Sequence, residues 1–288
     1  MAKKISKPHG SLKIPKLILF TGKLLEFISP QMAAIFAARL FTTPLKYKLP
    51  KRETEMDLHS RQETLHINSI NKNVTVYHYG DGAKKILLVH GWSGRGTQLV
   101  KFADAFIKAG FSTVSFDAPA HGKSSGKTTL MPEFVATILQ LETQFGPFNA
   151  AVGHSLGGMS LLNSVKRGLQ LERMVIIGSG DIIQDIIDEF TDQLKLSRKT
   201  GLLMRAHFEK SGETMDSYSS YIAAQKVNIP VLVIHDENDA EVSVDCASHI
   251  HKHLKKGELM ITKGLGHRKI LGNQNVIEAT FNFINRLP

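Results

Sequence analysis

Short, nearly continuous apolar runs alternate along most of the chain with stretches in which apolar residues recur every three or four positions. The alternation begins near residue 64. "TLHINSI" and "NVTVYHYG" alternate apolar and polar residues and meet at Asn71-Lys72-Asn73, which predicts a hairpin. "KKILLVHG" (84–91) is a compact apolar run closed by glycine, as a buried parallel strand would be. Val100, Ala103, Phe106 and Ile107 then share one face of a predicted helix over 97–109. "FSTVSFDAP" predicts a strand. "MPEFVATILQLETQF" predicts a helix with Phe134, Ile138, Leu141 and Phe145 on one stripe. "NAAVGHS", "LGGMSLLNSVKRG" and "RMVIIGSG" continue as strand, helix and strand.

Strand–helix alternation implies right-handed crossovers and a mostly parallel sheet covered on both faces, an α/β fold. The rhythm stops over 181–226, which holds no strand-like run and at least two amphipathic patterns, "DIIQDIIDEF" and "KTGLLMRAHFEK". That is far longer than the ~4–6 residues of an ordinary connection, so a small helical cap inserted over the sheet is expected. The rhythm resumes with "IPVLVIHDEND" (229–239), a helix near 243–254, "GELMITKGLGH" (257–267) and a last helix. The expected organisation is an arm over 1–63 and one α/β domain over 64–288.

Charge changes the picture of the arm. Residues 1–52 carry eleven Lys/Arg and one acid, Glu26, so the formal charge of +10 for the whole chain resides there and the remainder is neutral. Nucleic-acid binding by the body is therefore not expected. In the arm, Leu17, Leu24, Leu25 and Ile28 fall near one face of a predicted amphipathic helix, with Lys13, Lys16 and Lys23 elsewhere. Such a helix can lie on an anionic bilayer or pack its apolar face on the domain. The apolar segments are too short or too interrupted for a spanning helix or a secretory signal. A cytoplasmic location is expected, with peripheral membrane association open. The single cysteine, Cys246, excludes an intrachain disulfide framework and any CxxC site.

"AVGHSLGG" (151–158) carries the candidate chemistry. Gly153-His154-Ser155-Leu156-Gly157 lies between a predicted strand and a predicted helix, where Ser155 would stand on a sharp turn as a nucleophile. The Leu156 amide at the helix start would supply half of an oxyanion hole, and the Trp92 amide in "VHGWSGRG" the other half. A serine hydroxyl needs a base. Of thirteen histidines, His267 in "GLGHRKIL" follows the last strand at the same sheet edge. His90 and His154 are expected to be structural neighbours of the oxyanion loop and the turn, and His121 to belong to a tight turn. "HIHKH" (249–253) lacks a third metal ligand at helical spacing and is expected to be a solvated helix face. For the acid that orients the base, Asp239 stands at the carboxyl end of a strand, with Asp236 the near alternative and Asp181 the distant one.

"HGW", "DAPAHGKS", "GHSLGG", "HDEND" and "GLGH" occur in the order Ser…Asp…His, and by these motifs the chain resembles the α/β-hydrolase superfamily over 64–288, as a serine esterase- or lipase-like member. The resemblance implies carboxylic ester hydrolysis through an acyl-enzyme by Ser155, Asp239 and His267, with no metal or organic cofactor. The small cap suggests short to medium acyl chains. Ala120 stands where the superfamily more often has glycine, and a small backbone adjustment is expected there. Serine at 155 argues against the branches that use aspartate. The same residues would serve a thioesterase, acyltransferase, lactonase or C–C hydrolase, and a non-catalytic binding protein on the same scaffold is a further reading.

Overall fold

The computed structural model describes residues 14–210 and 212–286. The basic residues Lys3, Lys4, Lys7 and Lys13 lie outside the described residues. Among the described residues, eight strands form one sheet: β1 (Arg61–Ile67), β2 (Lys72–Tyr79), β3 (Lys85–Val89), β4 (Ser112–Asp117), β5 (Ala150–His154), β6 (Arg173–Ile177), β7 (Val231–Asp236) and β8 (Gly257–Thr262). Their order is β1-β2-β4-β3-β5-β6-β7-β8. β1 and β2 pair antiparallel and β2 pairs antiparallel with β4, while all later pairings are parallel.

The helices are α1 (Lys16–Ile28), α2 (Pro30–Phe41), α3 (Thr54–His59), α4 (Val100–Lys108), α5 (Met131–Phe145), α6 (Leu156–Lys166), α7 (Ile183–Gln193), α8 (Arg198–Glu209), α9 (Ser220–Ala224), α10 (Val244–His253), α11 (Gly266–Lys269) and α12 (Gln274–Ile284). Strand side chains alternate faces, so a sheet covered on both sides needs apolar residues at consecutive positions. Leu87, Val89, Met174, Ile176, Val231 and Val233 pack on one side, with α5, α6 and α10. Ile86, Leu88, Val175, Ile177, Leu232 and Ile234 pack on the other, with α4 and α12.

The predicted hairpin forms with a different boundary. β1 starts at Arg61, and Asn68–Ile70 make a 3-10 turn instead of prolonging the strand. Asn71 follows at φ +50°, a left-handed position that asparagine tolerates well.

Over 181–226, α7, α8 and α9 replace the strand rhythm. A third apolar cluster joins this region to the arm: Ala34, Ala37 and Ala38 of α2 pack with Ile183, Ile187, Leu194, Leu196 and Met204. The alanines let α2 approach α8 closely. On α1, Gly22 faces Leu196, and Glu26 reaches the start of α8, where its carboxylate accepts from the Ser197 amide (2.7 Å) and the Thr200 hydroxyl (2.6 Å). An anion satisfies the unpaired amides and the dipole of a helix start. The apolar stripe expected on α1 is divided: Leu17, Leu24 and Ile28 face outward, and Leu25 is half-buried.

The chain then crosses the carboxyl edge of the sheet in extended form. The Leu45 amide donates to Ser93 Oγ (3.0 Å), Arg95 donates to the Tyr47 carbonyl (2.7 Å), and buried Glu53 accepts from Thr97 Oγ1 (2.9 Å). Residues 42–53 thus strap the loop after β3.

Candidate active site

Ser155 joins β5 directly to α6 at φ +53° and ψ −120°, a conformation that costs a non-glycine residue roughly 1–3 kcal/mol. Its amide is anchored to the Ile177 carbonyl on β6 (2.8 Å). The flanking glycines make the turn sterically feasible. A Cβ on Gly153 would lie 2.7 Å from the Gly157 backbone, and one on Gly157 would lie 2.3 Å from the Val89 carbonyl oxygen. The turn therefore presses α6 against the ends of β3 and β5 and lifts residue 155 to the rim.

The loop after β3 lies against this corner: a Cβ on Gly91 would stand 3.0 Å from the Ser155 Cβ. Among the described residues, neither the Trp92 nor the Leu156 amide donates to a protein acceptor. Two buried histidines hold that loop. His90 Nε2 accepts from the Ala118 amide (3.0 Å), so its proton is on Nδ1 and is donated to the Gly91 carbonyl (2.7 Å). His121 repeats the arrangement, accepting from the Ser93 amide at Nε2 (3.0 Å) and donating from Nδ1 to the Pro119 carbonyl (3.0 Å). Burial pushes His90 down to about 4. For His121, burial and then the neighbouring His90 push the value down to about 3. Both are thus kept neutral, as an accepting nitrogen requires. Ala120 takes φ +65°, a left-handed conformation that glycine adopts more easily.

His267 is buried at the start of α11, and its Nδ1 donates to Asp239 Oδ2 at 2.7 Å. Asp239 Oδ1 accepts from the Glu241 (2.8 Å) and Val242 (2.9 Å) amides, and His235 Nε2 lies 3.4 Å from Oδ2. Burial alone would raise the Asp239 carboxyl. Hydrogen bonds from His235 and His267 outweigh it, and the group is held well below the ordinary carboxylate range. The His267 ring also packs beside Gly178, the residue after Ile177, to which Ser155 is bonded. Ser155, Asp239, His267, Trp92 and Leu156 thus gather at one edge of the sheet. The Ser155 hydroxyl makes no hydrogen bond among the described residues; hydrogen bonds in an unliganded site often tighten only around the bound molecule.

Asp236 and Asp181 bond to other partners. Asp236 accepts from the Asn238, Leu265 and Gly266 amides and from Thr262 Oγ1, at 2.8–3.0 Å. It ties the loop bearing Asp239 to the loop bearing His267. Asp181 accepts from the Tyr221 amide (2.8 Å) and pairs with His249, fixing the cap to α10. His253 donates to the His249 carbonyl (2.8 Å). "HIHKH" is therefore more structured than a solvated face, because His249 meets a buried carboxylate from the cap entrance. Among the described residues, no three His, Cys, Asp or Glu side chains are grouped as a metal site requires.

Sequence reasoning understated His154. Its Nε2–H donates to the His267 carbonyl (3.0 Å), and its ring lies 4.6 Å from the His267 ring. The sequence signal was adjacency to Ser155; the partner lies too far along the chain to be inferred. A hollow of ≈ 600 Å³ lined by Asn68, Leu139, Gln140 and Arg167 touches none of these residues.

Residues 86–271 match the Alpha/beta hydrolase family. No curated protein matches. Among solved structures, an esterase from Pyrococcus furiosus is similar at 14% identity and TM-score 0.65, covering 85% of this chain and 97% of its own. A bromoperoxidase from Bacillus anthracis is similar at 19% identity and TM-score 0.62, covering 78% of this chain and 100% of its own. A bacterial membrane phospholipase A, at 14% identity and TM-score 0.62, covers 94% of this chain and 96% of its own. At such identities these structures attest the fold alone. With the family match over most of its length, the order of its eight strands and the sharp turn at Ser155, the chain belongs to the α/β-hydrolase family.

Proposed function

We propose that the protein hydrolyses carboxylic esters through an acyl-enzyme, with Ser155 as nucleophile. The observation that supports this reading is Ser155 at φ +53° on the rim, bonded through its amide to Ile177, with the next residue, Gly178, packed against an imidazole whose Nδ1 is held 2.7 Å from a buried carboxylate. With Nδ1 donating to Asp239, Nε2 of His267 carries the free lone pair and can accept the Ser155 proton as the hydroxyl attacks the ester carbonyl. Charge develops on the carbonyl oxygen, for which the unspent Trp92 and Leu156 amides are the donors, an effect often worth ~3–4 kcal/mol per donor. His267 then protonates the departing alcohol. Water, deprotonated by the same nitrogen, attacks the acyl-serine and frees the acid and Ser155.

Among the similar structures, one is described as an esterase and one as a membrane phospholipase A, both names of ester-cleaving proteins. Leu156 and Met159, at the start of α6, share an apolar cluster with Ile183 and Ile187 of the short helical insertion, which favours short to medium acyl chains. A fluorophosphonate should label Ser155, and Ser155→Ala should abolish both labelling and turnover of p-nitrophenyl esters. Labelling without turnover of any ester, alongside cleavage of acyl-CoA or β-diketones, would transfer the same residues to thioester or C–C chemistry. Failure to label the folded protein would refute the nucleophile itself.

A further inference from the structure

We infer that the outer face of α1 and α2 is a docking surface for an anionic lipid bilayer. Leu17, Phe20, Leu24, Phe27 and Ile28 are 75, 65, 47, 89 and 61% exposed and form one stripe along α1. Met32 and Ile35, 47 and 49% exposed, carry the stripe onto α2. Water-facing phenylalanine and leucine at consecutive helical contacts are a liability that a folded chain avoids unless something covers them. The opposite faces of both helices are already used, by Gly22 and Glu26 against the start of α8 and by Ala34, Ala37 and Ala38 within the cap cluster. The arm is therefore fixed in an orientation that turns this stripe outward.

Charge identifies the occupant. Lys16 and Lys23 are exposed on α1, Arg39 on α2, and Lys46, Lys48, Lys51 and Arg52 on the segment that follows. The one acid in residues 1–52, Glu26, is turned inward to Ser197 and Thr200. Lys23 is paired with Glu26 (2.9 Å) and Arg52 with Glu53 (3.0 Å), which leaves Lys16, Arg39, Lys46, Lys48 and Lys51 with no ion pair among the described residues. A second copy of the chain would meet this patch with itself across a two-fold axis, bringing these cations together. Anionic headgroups complement them instead, each basic residue near such a surface adding to the attraction. Among the described residues no helix is long and apolar enough to cross a membrane, so the pair would lie in the interfacial plane. The inner face of α2 shares its cluster with Leu156 and Met159, next to Ser155, so the docked helices would stand between the bilayer and the site.

The test is co-sedimentation of the full chain with vesicles of phosphatidylglycerol and phosphatidylcholine, against phosphatidylcholine alone. Binding should favour the anionic vesicles and weaken in 0.5 M salt (~4 Å screening length). Phe20→Ser/Phe27→Ser should weaken it by at least about tenfold while the thermal melt is unchanged, because both side chains are solvent-facing. No binding by the native chain, or equal binding by the double variant, would overturn the inference. So would a dimer in sedimentation velocity that the same substitutions dissociate, since the face would then belong to a second copy. The readout needs no turnover and stands apart from the ester-hydrolase reading.

Discussion

His154 donates a hydrogen bond from its ring to the backbone carbonyl of His267, 113 residues further along the chain. The residue before the proposed nucleophile thus holds the main chain of the proposed base. Burial, and then the neighbouring His267 imidazole, push His154 down to about 3, so it stays neutral and its Nε2 proton is permanently committed to this bond. His154→Phe keeps the ring and removes the donor. It should cost about 1 kcal/mol of stability, and ester turnover should fall several-fold with little change in KM. A variant with native turnover would show that Asp236 and the α11 backbone suffice to place His267.

The same neutrality predicts how acid unfolds the protein. His90, His121 and His154 are held at about 4, 3 and 3, below the ordinary value near 6.5. Between those limits the unfolded chain binds protons that the folded chain refuses, so stability rises with pH there. Their contribution is complete above about pH 6.5 and is lost progressively as pH falls toward about 4 for His90 and about 3 for His121 and His154. Urea titrations between pH 5 and 6 should show a steep slope of unfolding free energy, and His154→Phe should flatten it by roughly 1 kcal/mol per pH unit. Equal slopes would mean that His154 is protonated in the folded state.

Asp236 and Asp239 should separate by the kind of damage their removal causes. Asp239→Asn withdraws the acceptor for His267 Nδ1–H and favours the wrong tautomer, so turnover should fall by about 10³–10⁴ with a modest change in melting temperature. Asp236→Ala strands three backbone amides and Thr262, and should first appear as lost stability, on the order of 3 kcal/mol. Paired melts and initial rates distinguish them. A severe turnover loss with native stability in Asp236→Ala would make Asp236 the orienting acid.

The sheet and its order of motifs were legible because each rests on local pattern. Continuous apolar runs such as "KILLV" mark strands buried on both faces, and Gly153 and Gly157 mark a backbone crossing that tolerates no Cβ. Asp239 was preferred to Asp236 from its place past the strand end; what distinguishes them physically is that Asp236 takes the Thr262 hydroxyl and the Leu265 and Gly266 amides while Asp239 takes the His267 ring, partners 26–30 residues further along the chain. The arm was the least legible part. Leu17, Leu24 and Ile28 read equally well as a face for packing or for a bilayer, because periodicity says that a stripe exists but not which side meets the protein. That choice depends on Glu26 finding the start of α8, a contact across 171 residues.

Glu26 therefore makes the last prediction. Its carboxyl is lowered to about 2; burial would raise it, but hydrogen bonds from Thr200, Ser197 and Lys23 prevail. A depressed carboxyl contributes stability that is complete above its unfolded value near 4.5 and is lost as pH falls through about 2. Glu26→Gln removes the charge while keeping the shape, and should weaken docking of α1 on α8 by about 1–2 kcal/mol. At pH 7, amide hydrogen exchange in α1 should accelerate in the variant while β5 and β6 keep their protection. At pH 5 the native chain should still protect α1, because Glu26 remains ionised there. Loss of protection in the native chain by pH 5, or native exchange in the variant, would show that Ala34, Ala37 and Ala38 hold the arm without this carboxylate.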